Sequence, residues 1–142
     1  MEKIAKEFVI DTDVIIFLRK KDLLYKLPLF YEVYVTWVSL YEFLRGLKAI
    51  GKEINEIDAI KQKFEKLFRL LWPSNKTIKL LCEIWDKLRM KGKLIDDRDL
   101  FIGAICIEHN LPIWTFNISD FKHLEEFGLK IIAPKVPDIL DL

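Results

Sequence analysis

Four acidic side chains are spaced along the sequence so that each stands where a predicted strand ends or where the next helix begins. They are Asp11, Glu42, Asp99 and Asp120. The carboxyl ends of parallel strands share one edge of an open sheet, so we expect these carboxylates to lie close together. Carboxylates at close range repel one another, and a divalent cation removes that repulsion. Because the set contains no His or Cys, it favours Mg²⁺, with Mn²⁺ as a substitute, and phosphoryl chemistry with a metal-activated water.

The first of these acids, Asp11, ends the apolar run 8–10, which predicts a buried strand. Apolar residues resume at helical spacing from Val14, so the stretch predicts a strand, a turn and a helix. Asp11 then either faces a crevice as a ligand or only ends the strand, with Thr12 or Asp13 capping the helix. The stretch by itself leaves both interpretations open.

The other acids have similar second interpretations. Ser39 and Glu42 have the spacing of a capping box, in which the serine bonds a first-turn amide and the glutamate reaches back to the amide of the cap. Asp99 precedes an apolar helix, where a negative charge complements the helix dipole. That explanation is poor for Asp99, which directly precedes an almost wholly apolar helix. Gly103 and Ala104 would let this helix pack close to the sheet and bring its start toward the strand ends. The four acids together therefore favour a ligand set.

The elements that position these acids alternate between strands and helices. Runs rich in β-branched and apolar residues predict strands at 8–10, 33–36, 111–115 and 129–134. Helical spacing predicts helices at 14–18, 37–46, 52–71 and 100–110, and a further helix that runs from a cap at Ser74 or Asn75 to Gly92. This alternation predicts an α/β domain.

Two of these helices follow one another without a predicted strand between them. The second carries an apolar stripe of Ile78, Leu81, Cys82, Trp85 and Leu88. We expect both helices to pack against the sheet. The alternative is that they present an aromatic face to a partner chain, including Phe68, Trp72 and Trp85.

Length and composition indicate one domain over residues 1–142, because 142 residues with 51% hydrophobic composition support one well-buried core. The sequence has no apolar run of transmembrane length and no signal-peptide core, so we expect a cytosolic protein without a membrane contact. Cys82 and Cys106 lie in apolar patterns and are expected to be reduced core residues. The net charge of +1 excludes an overall basic nucleic-acid binder. A single glutamine, Gln62, among many Lys, Glu and Ile residues is typical of proteins from heat-loving organisms.

Four motifs occur in order along the chain. They are hydrophobic-Asp-Thr-Asp/Asn-Val-hydrophobic-Ile at 10–16, Ser-x-x-Glu-x-x-x-Gly at 39–46, Asp-x-x-Ile-Gly/Ala-Ala at 99–104 and Thr-x-Asn-x-x-Asp-Phe at 115–121. With these motifs the chain resembles the PIN-domain nucleases, and within them the VapC-type toxins of toxin–antitoxin pairs, over nearly its whole length. The resemblance implies a three-layer α/β/α, flavodoxin-like domain with a mostly parallel central sheet. It also implies Mg²⁺- or Mn²⁺-dependent endonucleolytic cleavage of single-stranded or structured RNA.

The resemblance also implies roles for residues and partners. It places Asp11, Glu42, Asp99 and Asp120 as catalytic metal ligands, with supporting positions at Thr12, Asp13, Thr115 and Asn117. Asp13 stands where many relatives have Asn, so we interpret it as an orienting residue, and Asp96 or Asp97 contributes at most around the ligands. The implied partners are a second copy of the chain and a small antitoxin whose tail covers the acidic pocket, with an Arg among the carboxylates.

Basic residues near the motif ends either steer the RNA backbone or are solvated surface charges. They are Arg19, Lys20, Arg45, Lys48 and Arg98.

Two other functions remain open at this point. Residues 10–14 also resemble the nucleophile motif of haloacid-dehalogenase-type phosphatases, in which Asp11 would be phosphorylated and Asp13 would act as acid or base. That interpretation leaves Glu42 unexplained, and Asp96 and Asp97 lack the Gly-Asp context of the later motif of those enzymes. The second alternative is a non-catalytic binding module whose acids are helix caps.

Overall fold

The computed structural model describes residues 6–132, which alternate between strands and helices. The strands are β1 (Glu7–Ile10), β2 (Glu32–Thr36), β3 (Arg69–Leu71), β4 (Ile113–Trp114) and β5 (Ile131–Ile132). The helices are α1 (Thr12–Lys20), α2 (Trp37–Ala49), α3 (Ile54–Leu67), α4 (Asn75–Met90), α5 (Asp97–Glu108) and the short α6 (Ile118–Phe121), with 3₁₀ segments at Leu27–Leu29 and Lys122–Phe127. The predicted alternation is present, with β3 as an additional strand.

The described strands form one parallel sheet in the order β3-β2-β1-β4-β5. Strand β1 is central, with Val9 opposite Tyr34 of β2 on one side and opposite Ile113 of β4 on the other. The order of strands therefore reverses between β1 and β4. Ligands of open α/β sheets bind at the carboxyl ends of the strands beside such a reversal. The ends of β1 and β4 thus mark where a site is expected.

Helices cover both faces of the sheet. Alternate residues of β1 point to opposite faces, so Phe8 and Ile10 join one core with Phe64, whereas Val9 joins a second core with Ile102. Helices α1, α2 and α3 contribute to the first core, and α4 and α5 contribute to the second. The three-layer α/β/α architecture with a mostly parallel sheet is therefore confirmed.

The helix predicted over 52–71 is wrong at its end. Helix α3 stops at Leu67, and Arg69–Leu71 pairs with residues 34–36 as the edge strand β3. Phe68 has an extended backbone, with φ −116° and ψ 154°, and its side chain stays buried. The apolar spacing did not mark the change, because Phe68 and Leu71 are both buried although the chain is extended there, and burial at helical spacing also fits a helix.

The apolar stripe of α4 is divided between the core and the surface. Leu88 is buried and Leu81 packs against the second core, so the helix packs against the sheet as predicted, and it also buries Ile84. Ile78 and Trp85 are 58% and 43% exposed. Of the three residues in the alternative prediction of an aromatic face, Trp72 and Trp85 are exposed, whereas Phe68 is buried.

Two further predictions concern small residues in the helices. Cys106 is buried as predicted, and burial raises the pKa of its thiol, but Cys82 is exposed, so its prediction as a core residue is wrong. The close approach predicted for Gly103 is made to the 3₁₀ segment rather than to the sheet. A Cβ at Gly103 would lie 2.2 Å from Cδ1 of Leu124.

Within residues 6–132, no helix has the length and apolar character needed to cross a membrane. The last predicted strand is present at 131–132. Its residues 133–134, the tail from Pro137 and residues 1–5 lie outside the described part of the chain.

Candidate active site

Asp11 lies at the carboxyl end of β1, beside the reversal of the sheet. It is the N-cap of α1, and its Oδ1 accepts a hydrogen bond from the Thr12 N–H over 2.8 Å. Its Oδ2 accepts a bond from the hydroxyl of Thr115, the residue that follows β4, over 2.9 Å. Asp11 is only 1% exposed, so these donors offset the cost of removing a carboxylate from water. The two strands beside the reversal thus hold one carboxylate in a defined orientation.

Helix α2 brings Glu42 to the same edge. Its N-cap is Thr36, whose hydroxyl accepts a bond from the Ser39 N–H over 3.3 Å, so the capping box that was the second interpretation of Ser39 and Glu42 is not formed. The Ser39 hydroxyl instead donates to Asp11 Oδ1 over 3.5 Å. Glu42 Oε1 accepts a bond from the Thr12 hydroxyl over 2.8 Å. Both residues of the expected cap therefore face the site.

Arg98, in the first turn of α5, joins three of the acids. Its Nε donates to both carboxylate oxygens of Glu42, over 2.5 and 2.6 Å. Its Nη2 donates to Asp11 Oδ1 over 2.9 Å and to the Thr12 hydroxyl over 3.1 Å, and its Nη1 donates to Asp99 Oδ1. One guanidinium therefore contacts three carboxylates through charge-assisted hydrogen bonds.

Burial and the charges of this cluster shift the pKa values of Asp99 and Arg98. Burial raises the pKa of Asp99 to about 6; Arg98 opposes this shift, and the charges of Asp11 and Asp120 add to it. Burial alone would lower the pKa of Arg98, but the hydrogen bond to Glu42 and the charges of Asp11, Glu42 and Asp99 outweigh it and raise that pKa. Arg98 is thus a permanent cation among crowded acids.

Asp120 lies at the margin of the cluster. It is exposed, and its Oδ2 accepts a bond from Asn117 Nδ2 over 3.0 Å. Asn117 Nδ2 also lies 3.5 Å from Asp99 Oδ2, and the Asn117 N–H donates to the Thr115 hydroxyl over 3.0 Å. The structure brings three of the predicted acids together and links the fourth to them through Asn117.

Asp13 contacts the loop that follows β4. Its Oδ2 accepts a bond from the Phe116 N–H over 3.1 Å. Burial, and then the charge of Asp11, raise its pKa. Because Phe116 stands between Thr115 and Asn117, the contact agrees with an orienting role for Asp13.

The other candidate residues lie on the surface. Asp96 and Asp97 are exposed. Arg19 and Arg45 are exposed over the rings of Phe43 and Tyr41, with distances of 5.7 and 5.0 Å from Cζ to the ring centroid. Lys20 and Lys48 are exposed as well. Among the basic residues of the motif ends, Arg98 alone contacts the acids within the described part of the chain.

Two residues of the site were assigned to other roles from the sequence. Ser39 was interpreted as a helix cap, although its place in the Ser-x-x-Glu motif was a signal that it lies beside Glu42. Arg98 was interpreted as a contact for RNA or a surface charge. Its signal was its position directly before Asp99, at the start of a helix expected to approach the strand ends.

The donor set fits a hard divalent cation in its chemistry, since it consists of carboxylate oxygens that converge on one positive group. Within residues 6–132, no three Asp, Glu, His or Cys side chains surround a single metal position, and the guanidinium of Arg98 lies between the acids. The carboxylate oxygens of the three acids thus face one common cation, the guanidinium of Arg98.

Fold and site together define an α/β protein with a cluster of acids around one arginine at the reversal of a parallel sheet. The PIN-domain family model matches residues 8–126, and the chain belongs to this family. The chain is 33% identical to ribonuclease VapC1 from Methanocaldococcus jannaschii over 131 residues, which cover 92% of this chain and 90% of that protein. The membership predicted from the four motifs is confirmed.

Solved structures give the same fold. VapBC-1 from nontypeable Haemophilus influenzae matches with a TM-score of 0.70 at 21% identity, covering 89% of this chain and 97% of that chain. VapBC-5 from Mycobacterium tuberculosis, a member of the VapBC family of toxin–antitoxin systems, matches with a TM-score of 0.63 at 22% identity, covering 92% of this chain and 100% of that chain.

Proposed function

We propose that this protein is a metal-dependent endoribonuclease and the toxin of a VapBC-type toxin–antitoxin pair, with residues 1–142 forming one domain. The observation that carries the proposal is the convergence of Asp11, Glu42 and Asp99 on one cationic group at the reversal of the sheet. The reaction class is supported by the relative from M. jannaschii, which is named a ribonuclease. The oxygen ligands favour Mg²⁺, with Mn²⁺ as a substitute.

Asp11, Glu42 and Asp99 would hold the ion, with Asp120 at the margin. When bound, such an ion lowers the pKa of a coordinated water and balances the charge of a phosphodiester. Neighbouring side chains position these ligands. Thr115 orients Asp11, the Thr12 hydroxyl orients Glu42, and Asn117 links Asp99 to Asp120.

RNA would reach the site across the exposed sides of α1 and α2. Both helices start at the acidic edge of the sheet, and both carry exposed basic residues beyond it: Arg19, Lys20, Arg45 and Lys48. Such cations track a phosphate backbone without reading its sequence.

The phosphatase alternative requires an oxygen of Asp11 that is free to attack phosphorus. Asp11 Oδ1 instead accepts bonds from the Thr12 N–H, Ser39 and Arg98, and Oδ2 accepts one from Thr115. These contacts suit a positioned ligand better than a nucleophile, so we favour the nuclease.

The proposal includes two protein partners. One is a small antitoxin, as in the VapBC complexes that share the fold. The other is a second copy of the chain. Support for a covered surface comes from the exposed part of the α4 stripe, which borders a cavity of about 380 Å³ lined by residues that include Leu81, Trp85 and Phe101.

The test is cleavage of single-stranded RNA by Asp11→Asn, with Asp97→Asn as the matched control. Asp97 is an exposed acid at the start of α5. We expect the wild type and Asp97→Asn to cleave with Mg²⁺ or Mn²⁺ and to stop when the metal is chelated. Asp11→Asn, folded by circular dichroism, should not cleave. Full activity of the folded Asp11→Asn variant would overturn the proposal, and metal-independent RNA binding without cleavage by the wild type would favour the binding module.

A further inference from the structure

The position of Arg98 is not explained by ligand positioning alone. Each contact of its guanidinium with an acid is made to an oxygen of a proposed metal ligand: Asp11 Oδ1, both oxygens of Glu42 and Asp99 Oδ1. These oxygens cannot surround a divalent ion while the guanidinium lies between them. The guanidinium and the proposed divalent cation would therefore compete for the same oxygens.

The guanidinium of Arg98 can leave the cluster toward solvent. Its side chain is 29% exposed, whereas those of Asp11 and Asp99 are 2% and 4% exposed. The guanidinium thus lies on the solvent side of the buried acids. It is carried by the first turn of α5, so it can turn toward solvent by side-chain rotation while Asp99 keeps its place.

We propose that Arg98 is an intramolecular competitor of the divalent cation, so that the ion binds only as the guanidinium leaves the three acids. This inference rests on the proposed metal-dependent function and adds a regulation of the same site. In the metal-free protein, the single positive charge of Arg98 reduces the repulsion among the three carboxylates. The same contacts weaken metal binding, because they must be broken first and because a cation that stays nearby repels the ion.

The antitoxin was expected to supply an Arg among these carboxylates. The chain places its own Arg there, so a metal-free form of the toxin has its acids covered before any partner binds. Metal concentration then contributes to switching the site, independently of the antitoxin.

The experiment is titration of the full chain with Mn²⁺, followed by the signal of free Mn²⁺ in electron paramagnetic resonance, without RNA. The variants are Arg98→Gln and Arg98→Lys. The matched control is Arg89→Gln, which removes an exposed arginine that pairs with Asp86 over 2.6 Å on α4. Asp11→Asn locates the ion, because loss of a proposed ligand must weaken Mn²⁺ binding at this site.

We expect Arg98→Gln to bind Mn²⁺ roughly tenfold more tightly than the wild type or better, since a competing like charge has been removed at short range. Arg98→Lys should fall between the two, because an ammonium is a single point charge without the fork that spans three carboxylates. Arg89→Gln should match the wild type. Without metal, Arg98→Gln should melt at a lower temperature than the wild type, and saturating Mn²⁺ should close that gap.

Unchanged Mn²⁺ affinity in Arg98→Gln and Arg98→Lys, with Asp11→Asn still weakening it, overturns this inference and leaves the proposed function standing. Absence of Mn²⁺ binding by the wild type and both Arg98 variants overturns the proposed metal dependence as well. If Arg98→Gln does not fold without metal, the comparison of Arg98→Lys with the wild type decides: tighter binding supports the inference, and equal or weaker binding overturns it.

Discussion

The hydroxyl of Thr115 donates a 2.9 Å hydrogen bond to Asp11 Oδ2, although the two residues are 104 positions apart in the chain. Thr115 is 1% exposed, and its hydroxyl also accepts the N–H of Asn117. One buried group thus joins the ends of β1 and β4 and holds the loop that carries Asn117.

Replacing Thr115 with Val keeps the shape of the side chain and removes this group. We expect the free energy of unfolding to fall by about 1–3 kcal/mol, because the Asn117 N–H and one oxygen of Asp11 lose a partner. The kcat for RNA cleavage should fall more than KM changes, since Asp11 is positioned less well. Thr115→Ser keeps the hydroxyl and should retain most of the wild-type stability and most of the wild-type kcat. Wild-type stability and kcat in Thr115→Val would contradict the role of this bond.

The cap of α2 can be tested with Thr36→Ala and Glu42→Gln. Thr36→Ala should lower the free energy of unfolding by about 1 kcal/mol, because the Ser39 N–H loses its capping oxygen. Glu42→Gln should abolish RNA cleavage and retain the helix content measured by circular dichroism. The reverse pattern, with helix content lost only in Glu42→Gln, would restore the capping box that the sequence suggested.

Gly103 is expected to tolerate no larger residue beside Leu124. Gly103→Ala should lower the free energy of unfolding by about 1–3 kcal/mol, because the new methyl overlaps a fully buried side chain. The double variant with Leu124→Ala should lose less stability than the sum of the single variants, as measured by urea unfolding. Strict additivity would show that the two positions do not touch.

Glu108 links the end of α5 to the start of α4. It accepts bonds from the hydroxyls of Ser74 and Thr77 over 2.6 and 2.5 Å. Burial opposes ionisation of this carboxyl, but the two hydroxyls, with the charges of His109 and Lys76, outweigh burial and hold its pKa below the ordinary value.

A lowered pKa in the folded state means that the unfolded chain takes up the proton first as the pH falls. The stabilisation should therefore be complete above the ordinary glutamate pKa of about 4.3 and be lost as the pH falls through the folded value. The difference in unfolding free energy between the wild type and Glu108→Gln should shrink between pH 7 and strongly acidic pH. Glu83→Gln, at an exposed position of α4, is the control and should show no such change.

The proposed homodimer predicts that Trp85→Glu is monomeric, because a charge would enter an apolar contact on α4. Leu29→Glu is the matched control, since Leu29 is 76% exposed in the 3₁₀ segment before β2. Sedimentation velocity should give a dimer for the wild type and Leu29→Glu, and a monomer for Trp85→Glu. A dimer that survives Trp85→Glu would place the interface elsewhere.

Local patterns in the sequence were enough for the class of the fold and for the positions of the four acids. The run 8–10 followed by Asp11 predicts a strand that ends at this acid, and the structure places Asp11 directly after β1. Strand and turn signals depend on residues that are neighbours in the sequence, so they can be recognised without knowledge of the tertiary structure. The motifs around Glu42, Asp99 and Asp120 are likewise short segments, and they predicted the family.

The tertiary structure decided what these segments do to one another. Periodicity could not show that 69–71 is a strand, because its pairing partner lies in β2, or that Trp85 faces outward, because that depends on which side of α4 meets α5. The cap of α2 and the cation of the site were undecided for the same reason. Arg98 reaches Glu42 across 56 positions and Asp11 across 87. Such contacts depend on how the helices pack against the sheet beside the reversal. The position of Arg98 directly before Asp99 indicated that it lies near the site, but could not show whether its guanidinium turns toward solvent or toward the acids.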